Sequence, residues 1–155
     1  MKKRTIIIMS LPMCMLLSAC GGEVRRGYVF SALIENIKVE VTTEGGYDMK
    51  ASGSVFTVTK DKKEVLQGWI VFSDEWDKAA NLVNSGDIEV LEKTSERIVW
   101  KDGNKYNTIT MVSISYVYTT ATISSTNTED VIRGALDQMH YEVTDERAFD
   151  SLDDD

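Results

Sequence analysis

Few residues in this chain of 155 have side chains suited to chemistry. There is one histidine, His140, and there are two cysteines, Cys14 and Cys20. A Ser–His–acid relay places its imidazole between a hydroxyl and an orienting carboxylate. His140 is expected instead at the C-terminal end of the last helix, where a cationic imidazole suits the helix dipole. A zinc site wants about four Cys, His or carboxylate ligands, which one histidine does not approach. Asp153-Asp154-Asp155 and Asp102-Gly103-Asn104 offer oxygen ligands, but neither has the spaced pattern of a calcium loop. A solvated tail and an ordinary turn are expected there. Glu75 and Asp77 stand two apart on an expected helix, where side chains do not face each other. No glycine-rich phosphate loop is present. The expectation is therefore a chain with no catalytic residue, no metal ligand and no cofactor.

Cys20 is different because of what precedes it. Met1-Lys2-Lys3-Arg4 is basic, Thr5 to Leu17 is mostly apolar, and small residues lead up to Cys20. Basic start, short apolar middle and small residues at a cut site describe a secretory signal peptide. The run is shorter than the roughly 20 apolar residues that a membrane-spanning helix needs. Leu17-Ser18-Ala19-Cys20 resembles the lipobox of bacterial lipoproteins. The resemblance implies that residues 1–19 are a lipoprotein signal peptide and that Cys20 becomes the first mature residue. Its sulfur would carry a diacylglyceryl thioether, with palmitate-type chains, on the extracytoplasmic side of a bacterial cell-envelope membrane. Two acyl chains hold a protein there where one is marginal. An uncleaved anchor helix, or cleavage after Ala19 without lipid, are the alternatives.

Removal of residues 1–19 takes Lys2, Lys3 and Arg4 with it. Of 17 bases 14 remain, against 25 acids, a formal charge of −11. Nucleic-acid binding rests on Lys and Arg neutralising phosphates, so nucleic acid is an unexpected partner. The expected partners are the membrane, through a lipid on Cys20, and a protein or small molecule of unknown identity. With Cys14 removed and Cys20 acylated, no disulfide is left, so an ordinary apolar core must hold the fold.

Residues 20–27 read as a lipidated tether, 28–144 as one α+β domain and 145–155 as an acidic tail. Tyr28 to Leu33 is a first strand or the end of the tether. Ile37, Val39 and Val41 alternate with polar residues, the mark of a half-buried strand. Ser54 to Lys60 and Val65 to Phe72 form an expected hairpin around Asp61-Lys62-Lys63. Ser73 is the expected cap of a helix whose apolar stripe is Trp76, Ala79, Ala80 and Val83. Trp69 and Trp76 are expected in the sheet–helix core. Ile88 to Glu92 and Arg97 to Trp100 are short strands, followed by the Asp102-Gly103-Asn104 turn. Tyr106 to Ser124 is one long central strand or two strands without an obvious turn. Thr126-Asn127-Thr128-Glu129 has capping-box spacing, and Val131, Ile132, Ala135, Leu136 and Met139 follow at helical spacing. Gly134 within this helix favours close packing on the sheet.

This order of elements, with Gly68-Trp69-Ile70-Val71-Phe72 leading straight into a helix, resembles the PsbP/Mog1-like α/β/α sandwich over roughly Ile34 to Met139. That resemblance implies an antiparallel sheet covered by helices on both faces and a binding or accessory role, with no functional residue carried over. Cystatin-like and nuclear-transport-factor-2-like (NTF2-like) α+β folds are the competing architectures. The functional expectation is a non-catalytic binding or accessory lipoprotein. The alternatives are a carboxylate- or metal-dependent envelope enzyme and a stress or immunity factor that intercepts a cationic peptide or protein.

Overall fold

Alternation of apolar and polar residues builds most of this molecule. The computed structural model describes residues 23–32, 35–86, 88–112, 118–124 and 128–146. The signal segment, Cys20 and Asp150 to Asp155 lie outside the described residues. Two antiparallel sheets form a single α+β domain with two helices. The small sheet has the order β1-β2-β10, from β1 (Arg25–Ser31), β2 (Glu35–Thr42) and β10 (Met139–Glu146). The large sheet has the order β3-β4-β5-β9-β8-β7-β6. Its strands are β3 (Tyr47–Ser52), β4 (Val55–Lys60), β5 (Lys63–Phe72), β6 (Glu89–Lys93), β7 (Arg97–Asp102), β8 (Lys105–Met111) and β9 (Tyr118–Ser124). Helix α1 (Asp74–Asn84) follows β5, and α2 (Glu129–Asp137) precedes β10.

The layers follow from which residues each strand turns inward. Ile37, Val39 and Val41 of β2 pack with Met49, Phe56, Val58, Leu66 and Val99 of the large sheet. Ile132, Ala135 and Leu136 of α2 join the same core. Ile98, next to Val99 in β7, points the other way, because successive side chains of a strand face opposite sides. With Ile109 it meets Ala79 and Val83 of α1. The large sheet is thus covered by α1 on one face and by α2 with the small sheet on the other.

Tight turns set the registers. Asp61 and Lys62 both have positive φ, 50° and 66°, as a two-residue hairpin turn between β4 and β5 requires. Asp61 N–H donates to the carbonyl of Gly46 at 2.9 Å. A Cβ on Gly46 would collide with the Asp61 carboxylate, and its φ of 84° also favours glycine.

Several expectations need correction. Strand β1 begins at Arg25, inside the expected tether, and β3 was not foreseen. Tyr106 to Ser124 is two strands, with Tyr106 opposite Ser124 and Met111 opposite Thr119. Helix α2 ends at Asp137, and Met139 opens β10 rather than continuing the helix. Asp145 and Glu146, expected as the start of the acidic tail, lie in that strand. Ser73 has helical backbone angles and makes no side-chain cap bond. The cap of α2 is Thr128, whose backbone carbonyl accepts from the N–H groups of Val131 and Ile132. Glu129 therefore opens the helix and bonds Arg133 one turn on at 2.8 Å, instead of completing a capping box. Trp69 lies on the face of β5 opposite Leu66 and is 36% exposed, outside the cluster under α1. Trp76 packs against that cluster but is only half-buried.

Candidate functional site

His140 is in β10, opposite Glu40 of β2, and not at a helix end. Its Nε2 lies 3.0 Å from the Thr42 hydroxyl, which donates to the Glu23 carboxylate at 2.9 Å. The hydroxyl stands between the imidazole and the acid, the reverse of a nucleophilic relay. Its single proton goes to Glu23, so the imidazole N–H must donate to it. Thr42 is 1% exposed, out of reach of a substrate. The array ties the start of the domain to β2 and β10. Arg25 grips the same carboxylate through Nε at 3.0 Å and Nη2 at 2.6 Å. These bonds, Arg25 first and Thr42 second, hold the Glu23 carboxyl below its ordinary pKa.

Of the other acids weighed in the sequence, Asp153-Asp154-Asp155 lies outside the described residues. Asp102 pairs with Lys105 across a two-residue turn in which Gly103 has φ 57°. Glu75 meets Lys78 on the surface of α1, and Lys78 also reaches Asp74 at 3.1 Å. No group of three or more His, Cys, Asp or Glu able to hold a metal ion occurs among the described residues. No helix among them is long and apolar enough to cross a membrane.

The site with the most built structure was not anticipated from the sequence. It is a cleft of about 550 Å³ where the layers part beside β10. Leu136 of α2 and Met139 and Tyr141 of β10 form one wall. Glu92, Arg97, Thr110 and Met111 of the large sheet form the other, and Thr94-Ser95-Glu96 closes the rim. The volume falls within the usual range for small-ligand sites, about 300–1,000 Å³.

The charged wall is a shared ion-pair lattice. Arg97 donates from Nε and Nη2 to the two Glu92 oxygens at 2.8 and 3.2 Å. Arg133 of α2 donates to Glu92 at 3.0 Å and to the carbonyl of Leu91 at 2.8 Å. Asp137 lies 3.4 Å from Arg97. Burial opposes the Arg97 charge, but the bonds and charges of Glu92 and Asp137 outweigh it, so its pKa is raised. The Glu129 hydrogen bond raises that of Arg133. A planar guanidinium fork gripping both oxygens of a carboxylate is directional as well as charged. It clamps α2 to the β6–β7 hairpin.

The rim is fixed by Thr94. Its hydroxyl donates to the Arg97 carbonyl at 3.1 Å and accepts from the N–H groups of Glu96 and Arg97 at 3.2 and 2.9 Å. Glu96 is held from its other side too, because its carbonyl accepts from Met111 N–H at 2.8 Å. Thr110, directly opposite Arg97 across β7 and β8, has a buried hydroxyl oxygen with no hydrogen-bond partner among the described residues, as does Thr108 outside the cleft. A buried polar atom left unpaired costs free energy.

Sequence reasoning missed this cleft because its parts come from four strands, a helix and a loop. Arg133, four residues after Glu129, was the one local signal. No protein-family model, curated protein or solved structure matches this chain.

Proposed function

We propose that this is a membrane-anchored envelope lipoprotein, acylated on Cys20, whose domain binds a ligand without transforming it. The observation that carries the binding role is the cleft between α2, β10 and the β6–β7 hairpin. It joins an apolar wall of Leu136 and Met139 to a charged wall fixed by Glu92, Arg97 and Arg133. Rigidly held polar groups beside an apolar surface suit recognition, because little ordering remains to be done on binding. The PsbP/Mog1-like reading is supported by an antiparallel sheet with a helix on each face. The extra small sheet beside α2 departs from a plain α/β/α sandwich.

The anchor and the cleft are tested separately. Mass spectrometry of native membrane protein should find Cys20 as a lipidated first residue, and Cys20→Ser should abolish membrane retention. An unmodified Cys20 in the membrane fraction would overturn the anchor. Ser95→Trp places a bulky group at the exposed rim, away from the core. Full-length protein should capture a ligand from native membranes that the S95W protein does not. Equal capture by both would place binding elsewhere on the surface.

A further inference from the structure

The cleft has an uneven charge, and that imbalance selects its ligand. Two guanidiniums, Arg97 and Arg133, are shared among three carboxylates, Glu92, Glu129 and Asp137. The lattice is therefore one negative charge in excess before any ligand arrives. Glu96 adds a second, and its carboxylate has no ion-pair or hydrogen-bond partner among the described residues. Its backbone is pinned on both sides, by Thr94 and by Met111. An exposed acid on a fixed backbone, at the mouth of an apolar cleft, is placed to meet a cation. An anion would find both guanidiniums already engaged by carboxylates.

We infer that the cleft binds a basic side chain of a partner polypeptide, with an adjacent apolar side chain seated on the half-buried Met111 and Tyr141. This deepens the binding role proposed above and rests on it. The basic group meets Glu96 at the rim. Its methylene stem runs along Met111, as long cationic side chains do when their charged end stays near water. Glu96 thus acts as a specificity residue, and Met111 and Tyr141 supply contact area.

The test uses detergent-solubilised full-length protein and three capped tripeptides: leucine–lysine–leucine, leucine–norleucine–leucine and leucine–glutamate–leucine. Calorimetry should rank the lysine peptide first and the glutamate peptide last. Its affinity should fall as salt rises, since screening shortens the reach of exposed charges. Glu96→Gln should weaken the lysine peptide by about fivefold, the scale of an ion pair at a partly exposed rim. It should leave the norleucine peptide unchanged. Glu44→Gln, in an exposed turn far along the chain, should alter neither. Melting curves establish that each variant is folded, and the salt dependence of the unmutated protein tests charge without any mutation. Equal affinity for the lysine and norleucine peptides, no effect of E96Q, or tighter binding of the glutamate peptide would each overturn the charge preference. Any of these, with binding still lost in S95W, would leave the cleft itself as the binding site. Absence of binding by all three peptides would overturn the inference that a basic peptide is the ligand. Membrane capture by the unmutated protein, lost in S95W, would separately show whether the cleft binds anything.

Discussion

Glu92, opposite Val99 in the β6–β7 hairpin, is gripped diagonally by Arg97, whose guanidinium engages both oxygens of the carboxylate at 2.8 and 3.2 Å. The Glu92 side chain is 17% exposed, and it also receives Arg133. Truncating it takes the bidentate partner from Arg97, which keeps only Asp137, and one of the two carboxylates from Arg133, which keeps Glu129. Exposed pairs contribute about 0–1 kcal/mol, whereas removing one partner of a buried pair costs about 3–5. Glu92→Ala should therefore destabilise the domain by about 2 kcal/mol in urea unfolding. In a double-mutant cycle with Arg133→Ala the two losses should not add, because they share one carboxylate.

Phe56 and Trp69, two of the large aromatics of the β4–β5 hairpin, should differ in their contribution to stability. Phe56 is 0% exposed and meets Phe30 edge to face at 5.9 Å between ring centres. Trp69 is on the opposite face and partly open. Phe56→Ala should cost about 3–5 kcal/mol, the usual range for a buried aromatic. Trp69→Ala should cost only about 1 kcal/mol, because much less of its area leaves water on folding. Comparable losses in denaturant titrations would mean that Trp69 is covered in solution.

Gly134 sits where α2 meets Tyr47. A Cβ there would lie 2.9 Å from the Tyr47 hydroxyl oxygen. Alanine gains up to about 1 kcal/mol over glycine in a helix interior, but this contact opposes the gain. Gly134→Ala alone should change stability little. In a Tyr47→Phe background the oxygen is gone, and the same substitution should stabilise by about 1 kcal/mol. Thermal melts of the four proteins complete the cycle.

Glu23 should give a pH signature. Its carboxyl is held below the ordinary value by Arg25 and then by Thr42. A depressed folded pKa stabilises the fold above the unfolded value, near about 4.3, and that contribution is lost as pH falls through the folded value. Glu23→Gln should therefore be less stable than the unmutated protein at neutral pH. The gap should close on acidification below the ordinary glutamate range. Carbon-13 titration of the Glu23 carboxyl checks the direction of the shift directly.

What the chain determined by itself was local. Ile37, Val39 and Val41 alternate, so β2 is legible without any partner. Trp76, Ala79, Ala80 and Val83 share a stripe, so α1 is too. Asp61-Lys62 and Asp102-Gly103-Asn104 mark their hairpins through turn chemistry. Where two periods fit the same residues, only packing chose between them. Met139 continues the helical stripe of Ala135 and Leu136, yet it also begins an alternating run with Tyr141 and Val143. Pairing of Met139 with Val41 and Tyr141 with Val39 in β2 decided for strand. The break between β8 and β9 had no glycine, proline, asparagine or aspartate to announce it. Trp69 was misplaced because the sequence reveals that a strand is apolar, not how much of a face a helix will cover: its register row carries Ile109 and Ile98, which lie under α1, but Trp69 itself lies beyond the helix. The cleft was least legible, since Glu92, Thr110, Arg133 and Met139 have no shared spacing. They meet because the large sheet orders its strands as β9-β8-β7-β6 and α2 lies over it, which sets an ion-pair lattice beside an apolar wall.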